Sequence, residues 1–424
     1  MFSGLCDGHG NYRNLVCGNW KSGKNGKSIA IISPLDGSVV GNIPAMSADE
    51  VDEVIRLAGE TQKSWRTVPV NKRSEILLRA ADILEREAET LANVLLKEIA
   101  KDKKSAVSEV TRTADFIRFT ADAAKNMTGE SIPGDSFPGF DRDKISVVTR
   151  EPLGVVLAIS PFNYPINLAA SKIAPALAAG NTVISKPATQ GSISTLHLAR
   201  VFEEAGLPAG VLNTVTGRGS EIGDYIVTHA GIDFINFTGS TEVGQHIAAL
   251  VTMKPYMMEL GGKDAAVVLE DCDMDLTVNN IVSGAYSYSG QRCTAVKRIL
   301  VIESVADELV KRLKAKIEKL ATGNPLEKPD AVVVPLINDA AADYVNKLML
   351  DAKQKGAVLV TGGERNKNII SPTLFDNVTT DMRLAWEEPF GPVLPVIRVK
   401  SYEEAIEIAN KSQYGLQSAV FTQD

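Results

Sequence analysis

The chain has 424 residues, 44% of them hydrophobic and 23% charged, which is too long for one compact core and ordinary for a globular protein of two or more domains. A formal net charge of -7 excludes a generic nucleic-acid or anionic-membrane partner, so an anionic ligand must be held by a local cluster of basic groups. No apolar stretch reaches the roughly twenty residues of a membrane helix, and residues 1–25 lack the basic-then-apolar pattern of a secretory signal.

Helices dominate the first third. Ser47-Ala48-Asp49-Glu50 reads as a capping box, after which Val51, Val54, Ile55 and Ala58 keep helical spacing. Ile76, Leu77, Ala80, Ile83 and Leu84 mark a second helix, and Leu91, Ala92, Leu95, Leu96 and Ile99 a third; the stripes are core faces. From 127 to 150 the texture changes. Gly129, Pro133, Gly134, Pro138 and Gly139 break helices and 145–150 reads as a strand, so this segment is expected to form an extended arm. Strand and helix patterns then alternate, with strands at 155–159, 182–185, 211–215 and 232–237 and helices between them. Such alternation predicts a doubly wound parallel sheet with ligands beyond the carboxyl ends of its strands. A second α/β stretch begins near Ala265, with further strands at 298–302, 357–360, 393–399 and 418–421.

The four cysteines, Cys6, Cys17, Cys272 and Cys293, include no CxxC pair, which points to a reducing compartment such as the cytoplasm. Four histidines without an HxxxH-type pair argue against a metal site. Cys293 lies in Ser289-Gly-Gln-Arg-Cys-Thr294. The plainer reading is a buried small apolar residue, but Arg292 and the glycine turn could favour a nucleophilic thiolate. Glu259, in Met257-Met-Glu-Leu-Gly-Gly262, sits in an apolar run, and burial would suit it to act as a general base. A surface salt bridge, with Lys263 for instance, is an equal alternative. Asn163, in Ser160-Pro-Phe-Asn-Tyr-Pro165, could donate to an oxyanion or simply make a turn. Lys186, the GxGxxxG run 217–223 and Phe237-Thr-Gly-Ser240 share one location, after predicted strands, where phosphates are commonly held.

Taken in order, Pro161-Phe-Asn-Tyr-Pro165, Lys186-Pro187, Phe237-Thr-Gly-Ser240, Glu259-Leu-Gly-Gly262, Gln291-Arg-Cys293 and Glu388-Pro-Phe-Gly-Pro392 resemble the aldehyde dehydrogenase superfamily, from about Trp20 onward. The nearest likeness is to its non-phosphorylating, NADP-dependent glyceraldehyde-3-phosphate dehydrogenase branch. The resemblance implies an α/β fold of two doubly wound parallel-sheet domains plus an oligomerisation arm. Residues 1–126 and 151–260 would form the cofactor-binding domain, 127–150 the arm and 261–424 the catalytic domain. Relatives continue past the position of Asp424, so the carboxyl end of that domain is expected to be missing. The family forms homo-oligomers, commonly tetramers.

By the same resemblance, Cys293 attacks the aldehyde, Asn163 holds the oxyanion and Glu259 activates the water that hydrolyses the thioester. Lys186, Thr189, Gly219, Asp224, Gly239, Ser240, Leu260 and Glu388 are expected at the cofactor, and Arg112, Tyr164 and Arg292 at the substrate phosphate. Many NAD-preferring relatives carry a Glu where this chain has Thr189, so NADP is favoured, with NAD possible. The implied reaction oxidises D-glyceraldehyde 3-phosphate to 3-phosphoglycerate without consuming inorganic phosphate. Alternatives are an NAD(P)-dependent dehydrogenase of another small anionic aldehyde such as succinate semialdehyde, a coenzyme A-acylating relative, and a non-catalytic protein on the same fold. Glu259 argues for water over a thiol acceptor. The joint presence of a thiol, a base and an amide argues against a scaffold.

Overall fold

The computed structural model describes residues 4–424; residues 1–3, the start of the expected cofactor-binding segment, lie outside the described residues. The first sheet has five parallel strands, in the spatial order Tyr256–Glu259, Phe234–Thr238, Val155–Ser160, Thr182–Pro187, Leu212–Thr214. The chain starts it in the middle at Val155–Ser160, winds outward two strands, then returns to the other side of its starting strand. That reversal leaves a crevice between the carboxyl ends of Val155–Ser160 and Phe234–Thr238, the place where a doubly wound sheet receives a ligand.

Alternation along these strands feeds two cores. Val156 and Ala158 face the helices Val70–Arg86, Ala88–Ile99, Lys103–Lys125, Asn167–Ala178 and Ser192–Glu204. Val155, Leu157, Ile235 and Phe237 face Ala48–Trp65, Gly219–Thr228 and Thr241–Leu250. Both faces are apolar because both are covered. Helix Ala48–Trp65 has the capping box read from the sequence: Ser47 accepts from the Glu50 N–H, and the Glu50 carboxylate accepts from the Ser47 N–H at 2.9 Å.

The second sheet has six strands, in the order Val358–Thr361, Thr373–Asp376, Val393–Val399, Arg298–Ile302, Ala265–Val268, Ser418–Phe421. All neighbours are parallel except the antiparallel edge pair Val358–Thr361 and Thr373–Asp376. Helices Asp339–Gln354 and Tyr402–Asn410 cover one face, and Met274–Tyr286 and Glu303–Ile317 the other. No described helix is long and apolar enough to cross a membrane.

Between the helical layer and the first sheet, the chain forms an antiparallel hairpin of Glu130–Pro133 with Ile145–Val148. Ile145, Val147 and Val148 on it are exposed. The first third holds more than helices. Asn14–Val16 pairs with Asn19–Lys21, and Ser28–Ile32 with Val39–Pro44. The second pair had a period-two signal, since Ile29 and Ile31 are buried while Ser28, Ala30 and Ile32 are not.

Candidate active site

The crevice at the first sheet opens into a cavity of about 670 Å³ that reaches Cys293. Cys293 gets there through a strained turn. Helix Met274–Tyr286 ends, and Tyr288, Ser289 and Gly290 follow with φ of 51°, 55° and 68°, a left-handed run that costs non-glycine residues about 1 kcal/mol each. A side chain at Gly290 would put its Cβ 2.6 Å from the Gly391 carbonyl. Three anchors hold the turn. The Tyr288 hydroxyl donates to the Ile99 carbonyl at 3.0 Å, Ser289 Oγ donates to the Val334 carbonyl at 2.7 Å, and Gln291 Oε1 accepts from the Ile337 N–H at 3.0 Å. The loop that carries Cys293 is thus held by the protein's own contacts, as preorganised chemistry requires.

Burial pushes the Cys293 thiol above its ordinary range, and the strongest pull the other way comes from Lys297. Arg292, which the sequence offers as a cation that could favour the thiolate, is not the group that acts on it most. Arg292 Nη2 donates to the Gly284 carbonyl, and its charge acts on Tyr164. Lys297, four residues beyond the thiol, is buried, donates to the Cys293 carbonyl and pairs with Glu388 Oε1 at 3.2 Å. Burial in turn pushes the Glu388 carboxyl up, with Lys297 opposing. Glu388 Oε1 also accepts from the Gly262 N–H at 3.3 Å.

Asn163 is buried at the end of the central strand and its Nδ2 donates to the Gln291 carbonyl at 3.0 Å, two residues from the thiol. Asn163 and Cys293 line the same cavity, so the amide and the thiol share a wall. Glu259 departs from expectation. It ends an edge strand, and its side chain is 49% exposed. Nor does Lys263 pair with it: Lys263 Nζ is buried without a partner. Instead Lys172 donates to Thr238 Oγ1 at 2.6 Å, Thr238 donates to Glu259 Oε2 at 3.0 Å, and Lys172 lies 3.9 Å from that oxygen. Burial lowers the Lys172 amine to about 8, with Glu259 and Cys293 pulling it up.

Lys186, Thr189, Gly219, Gly239, Ser240, Leu260 and Glu388 all line the cavity. Asp224 does not: it is exposed on helix Gly219–Thr228 and its Oδ1 is hydrogen-bonded to His246 at 2.8 Å. Lys186 is 6% exposed with no carboxylate partner, and burial lowers its amine to about 8, so near neutral pH it remains a cation in want of an anion. Ser240 caps helix Thr241–Leu250, whose first turn opens on the cavity. A Cβ at Gly261 would come 2.2 Å from Glu388 Oε2, so a larger residue there would displace the Glu388 carboxylate. An unpaired buried amine, a helix N-terminus and a glycine-lined cleft are what a dinucleotide phosphate ligand needs, and the residues fit one.

Arg112 is exposed on helix Lys103–Lys125, yet its charge, with that of Arg292, bears on Tyr164, whose phenol burial pushes up while both arginines pull it down. None of the three is among the residues that line the cavity; what relates them is the effect of both arginine charges on Tyr164. Lys172 and Lys297, which no sequence motif singles out, also belong here beside Glu259 and Cys293, and the motif residues Phe162 and Phe390 meet edge-on with ring centroids 5.9 Å apart. A lone lysine in the apolar helix Asn167–Ala178, and one four residues after Cys293, were the available signals.

A doubly wound sheet with a pinned thiol and an amide donor in its ligand crevice defines a cysteine-dependent dehydrogenase scaffold. The aldehyde dehydrogenase family matches residues 20–424, and the chain belongs to that family. It is 59% identical to the NADP-dependent glyceraldehyde-3-phosphate dehydrogenase of Streptococcus equinus, over 97% of this chain and 86% of that protein. It is 48% identical to the Arabidopsis thaliana enzyme of the same name, over 100% of this chain and 85% of that one. The crystal structure of the Bacillus halodurans enzyme of that name, complexed with NADP, superposes with a TM-score of 0.96 at 51% identity, over 98% of this chain and 87% of that chain.

Proposed function

We propose that this protein oxidises D-glyceraldehyde 3-phosphate to 3-phosphoglycerate with NADP, through a cysteine thioester that water hydrolyses. The observation that carries the reading is the single cavity that Asn163, Lys186, Cys293 and Glu388 line, with Tyr164 next to Asn163 in the chain and under the charges of Arg292 and Arg112. Two guanidinium groups and a phenol suit a phosphate dianion, and the two relatives and the neighbouring structure bear the matching name.

In this reading Cys293 Sγ adds to the aldehyde carbon, and the Asn163 amide with the Cys293 N–H holds the oxygen as it gains charge. NADP, when bound, supplies a hydride acceptor. Lys186 and Thr189 would hold its adenosine end, with Thr189 standing where a carboxylate would repel a 2′-phosphate, Gly219, Gly239, Ser240 and Leu260 would line its path, and Glu388 would hold its other ribose. Glu259 takes a proton from water as the water attacks the thioester, releasing the acid and restoring the thiol. Asp224 is not part of this reading.

The test is NADPH formation from glyceraldehyde 3-phosphate in buffer free of phosphate and arsenate, run beside succinate semialdehyde and beside NAD. Full activity without phosphate is expected. A need for phosphate, or a higher kcat/KM with succinate semialdehyde, overturns the assignment.

Residues 4–126 with 151–260 serve as the cofactor unit and 261–424 as the catalytic unit. The hairpin within 127–150, with its exposed apolar strand, joins copies of the chain into a homo-oligomer, a tetramer as the family suggests. Sedimentation of the protein and of Val147→Lys tests this, since a monomer in both is the refuting result. Four free cysteines and a thiol chemistry suit the reducing cytoplasm.

A further inference from the structure

Lys101 is a fully buried ammonium that the reaction above does not use. It follows Ala100, whose left-handed backbone (φ 53°) ends helix Ala88–Ile99. Its Nζ donates to Glu109 Oε2 and, at 2.8 Å, to the Asn163 carbonyl. The same atom sits 3.3 Å from the centroid of the Tyr164 ring and 4.7 Å from that of Tyr288. The other Glu109 oxygen accepts from the Ile166 and Asn167 N–H groups at 3.0 and 3.1 Å. One buried ion pair therefore grips the Asn163–Tyr164 turn from both ends and touches the loop that carries Cys293.

Stability gives little reason for such a pair. Desolvating two charges offsets most of their attraction, and apolar side chains of similar volume would hold the helices as well. Burial pulls the Lys101 amine down while Glu109 draws it back up. A cation against the face of a phenol withdraws electron density from the ring, so the hydroxyl becomes a stronger donor.

We propose that Lys101, clamped by Glu109, is a positioning residue that fixes the Asn163–Tyr164 turn and strengthens the Tyr164 hydroxyl toward a substrate phosphate, so that it sets selectivity for a phosphorylated aldehyde. This rests on Tyr164 meeting the phosphate as proposed above.

The test is a double-mutant cycle on kcat/KM with glyceraldehyde 3-phosphate and with unphosphorylated glyceraldehyde. Lys101→Met is expected to lose roughly tenfold more on the phosphorylated substrate than on glyceraldehyde. In a Tyr164→Phe background that extra loss disappears, because the hydroxyl it acts through is gone. Equal losses on both substrates, or an extra loss that persists with Tyr164→Phe, overturn the proposal. Glu109→Gln keeps the side chain's shape and loosens the clamp; it shifts the ratio the same way by a smaller factor, and decides the matter if Lys101→Met does not fold. A native protein without preference for the phosphorylated aldehyde sinks the proposed function and this inference together. A native preference with an unchanged ratio in the variants sinks only the role of Lys101.

Discussion

Cys293→Ser is expected to cut NADPH formation from glyceraldehyde 3-phosphate by at least ~10⁴-fold while leaving NADP affinity within about twofold. The surroundings explain the size of the loss. Asn163, Lys297 and the strained turn at Tyr288–Ser289 fix the position of the Cys293 side chain, but the charges that act on it most, Lys297 and Glu388, already pair with each other. Nothing there is arranged to deprotonate a hydroxyl, whose anion is far harder to form than a thiolate. Because burial raises the thiol, only a minority is thiolate at neutral pH, and that fraction grows with each step toward the thiol's own range. Alkylation of the cofactor-free protein at Cys293 should therefore quicken steadily from pH 7 to pH 9. Lys297→Met should slow it at every pH by removing the cation that favours the thiolate. Cys293→Ser supplies the background from Cys6, Cys17 and Cys272, which are also free. Retention of more than about 1% turnover by Cys293→Ser would remove it from the nucleophile's role.

The doubly wound sheet was readable because its strands are buried on both faces and appear as unbroken apolar runs, such as Val155–Ser160. Tyr256–Glu259 was missed as a strand since it is an exposed edge that pairs through its backbone, leaving no pattern in its side chains. Thr373–Asp376 is only four residues long and sits between turns. The helix Lys103–Lys125 hides its buried face among alanines and threonines, with Glu109 and Thr113 turned inward. In the site, the motif residues Asn163, Cys293, Lys186 and Glu388 were legible because each follows a strand or loop with a recognisable order. Their partners were not. Lys297 reaches Glu388 across 91 residues, Lys172 reaches Glu259 across 87, and Lys101 reaches Asn163 across 62, contacts that only the closed fold creates. Two alternatives left open by the sequence close only in the fold: an exposed edge strand leaves Glu259 half exposed among apolar neighbours, with Lys172 and not Lys263 near its carboxylate, and Arg292, next to the thiol in the chain, turns its guanidinium to the Gly284 carbonyl.

Glu259→Gln should separate the two halves of the reaction. A burst of NADPH equal to the number of active sites is expected on mixing with glyceraldehyde 3-phosphate, followed by turnover slowed roughly 10²–10³-fold. The amide can still accept from Thr238, as the carboxylate does at 3.0 Å, so the edge of the sheet and the Thr238–Lys172 link keep their shape. What the amide cannot do is take a proton from water. Acylation draws on Cys293 and Asn163, neither of which bonds to Glu259, and the wall residue that does, Thr238, keeps its acceptor in the amide, so the first half should proceed at nearly the native rate. The acyl group would then wait on Cys293 and appear in intact-protein mass spectra as a covalent adduct absent from Cys293→Ser. Hydroxylamine, which needs no general base to attack a thioester, should release it and restore a second burst. The half-exposed position of Glu259 fits such a part, because a group that activates water must itself meet water. If instead the burst and the steady rate fall together, Glu259 acts before the thioester forms, and the base for hydrolysis must be sought elsewhere around Cys293.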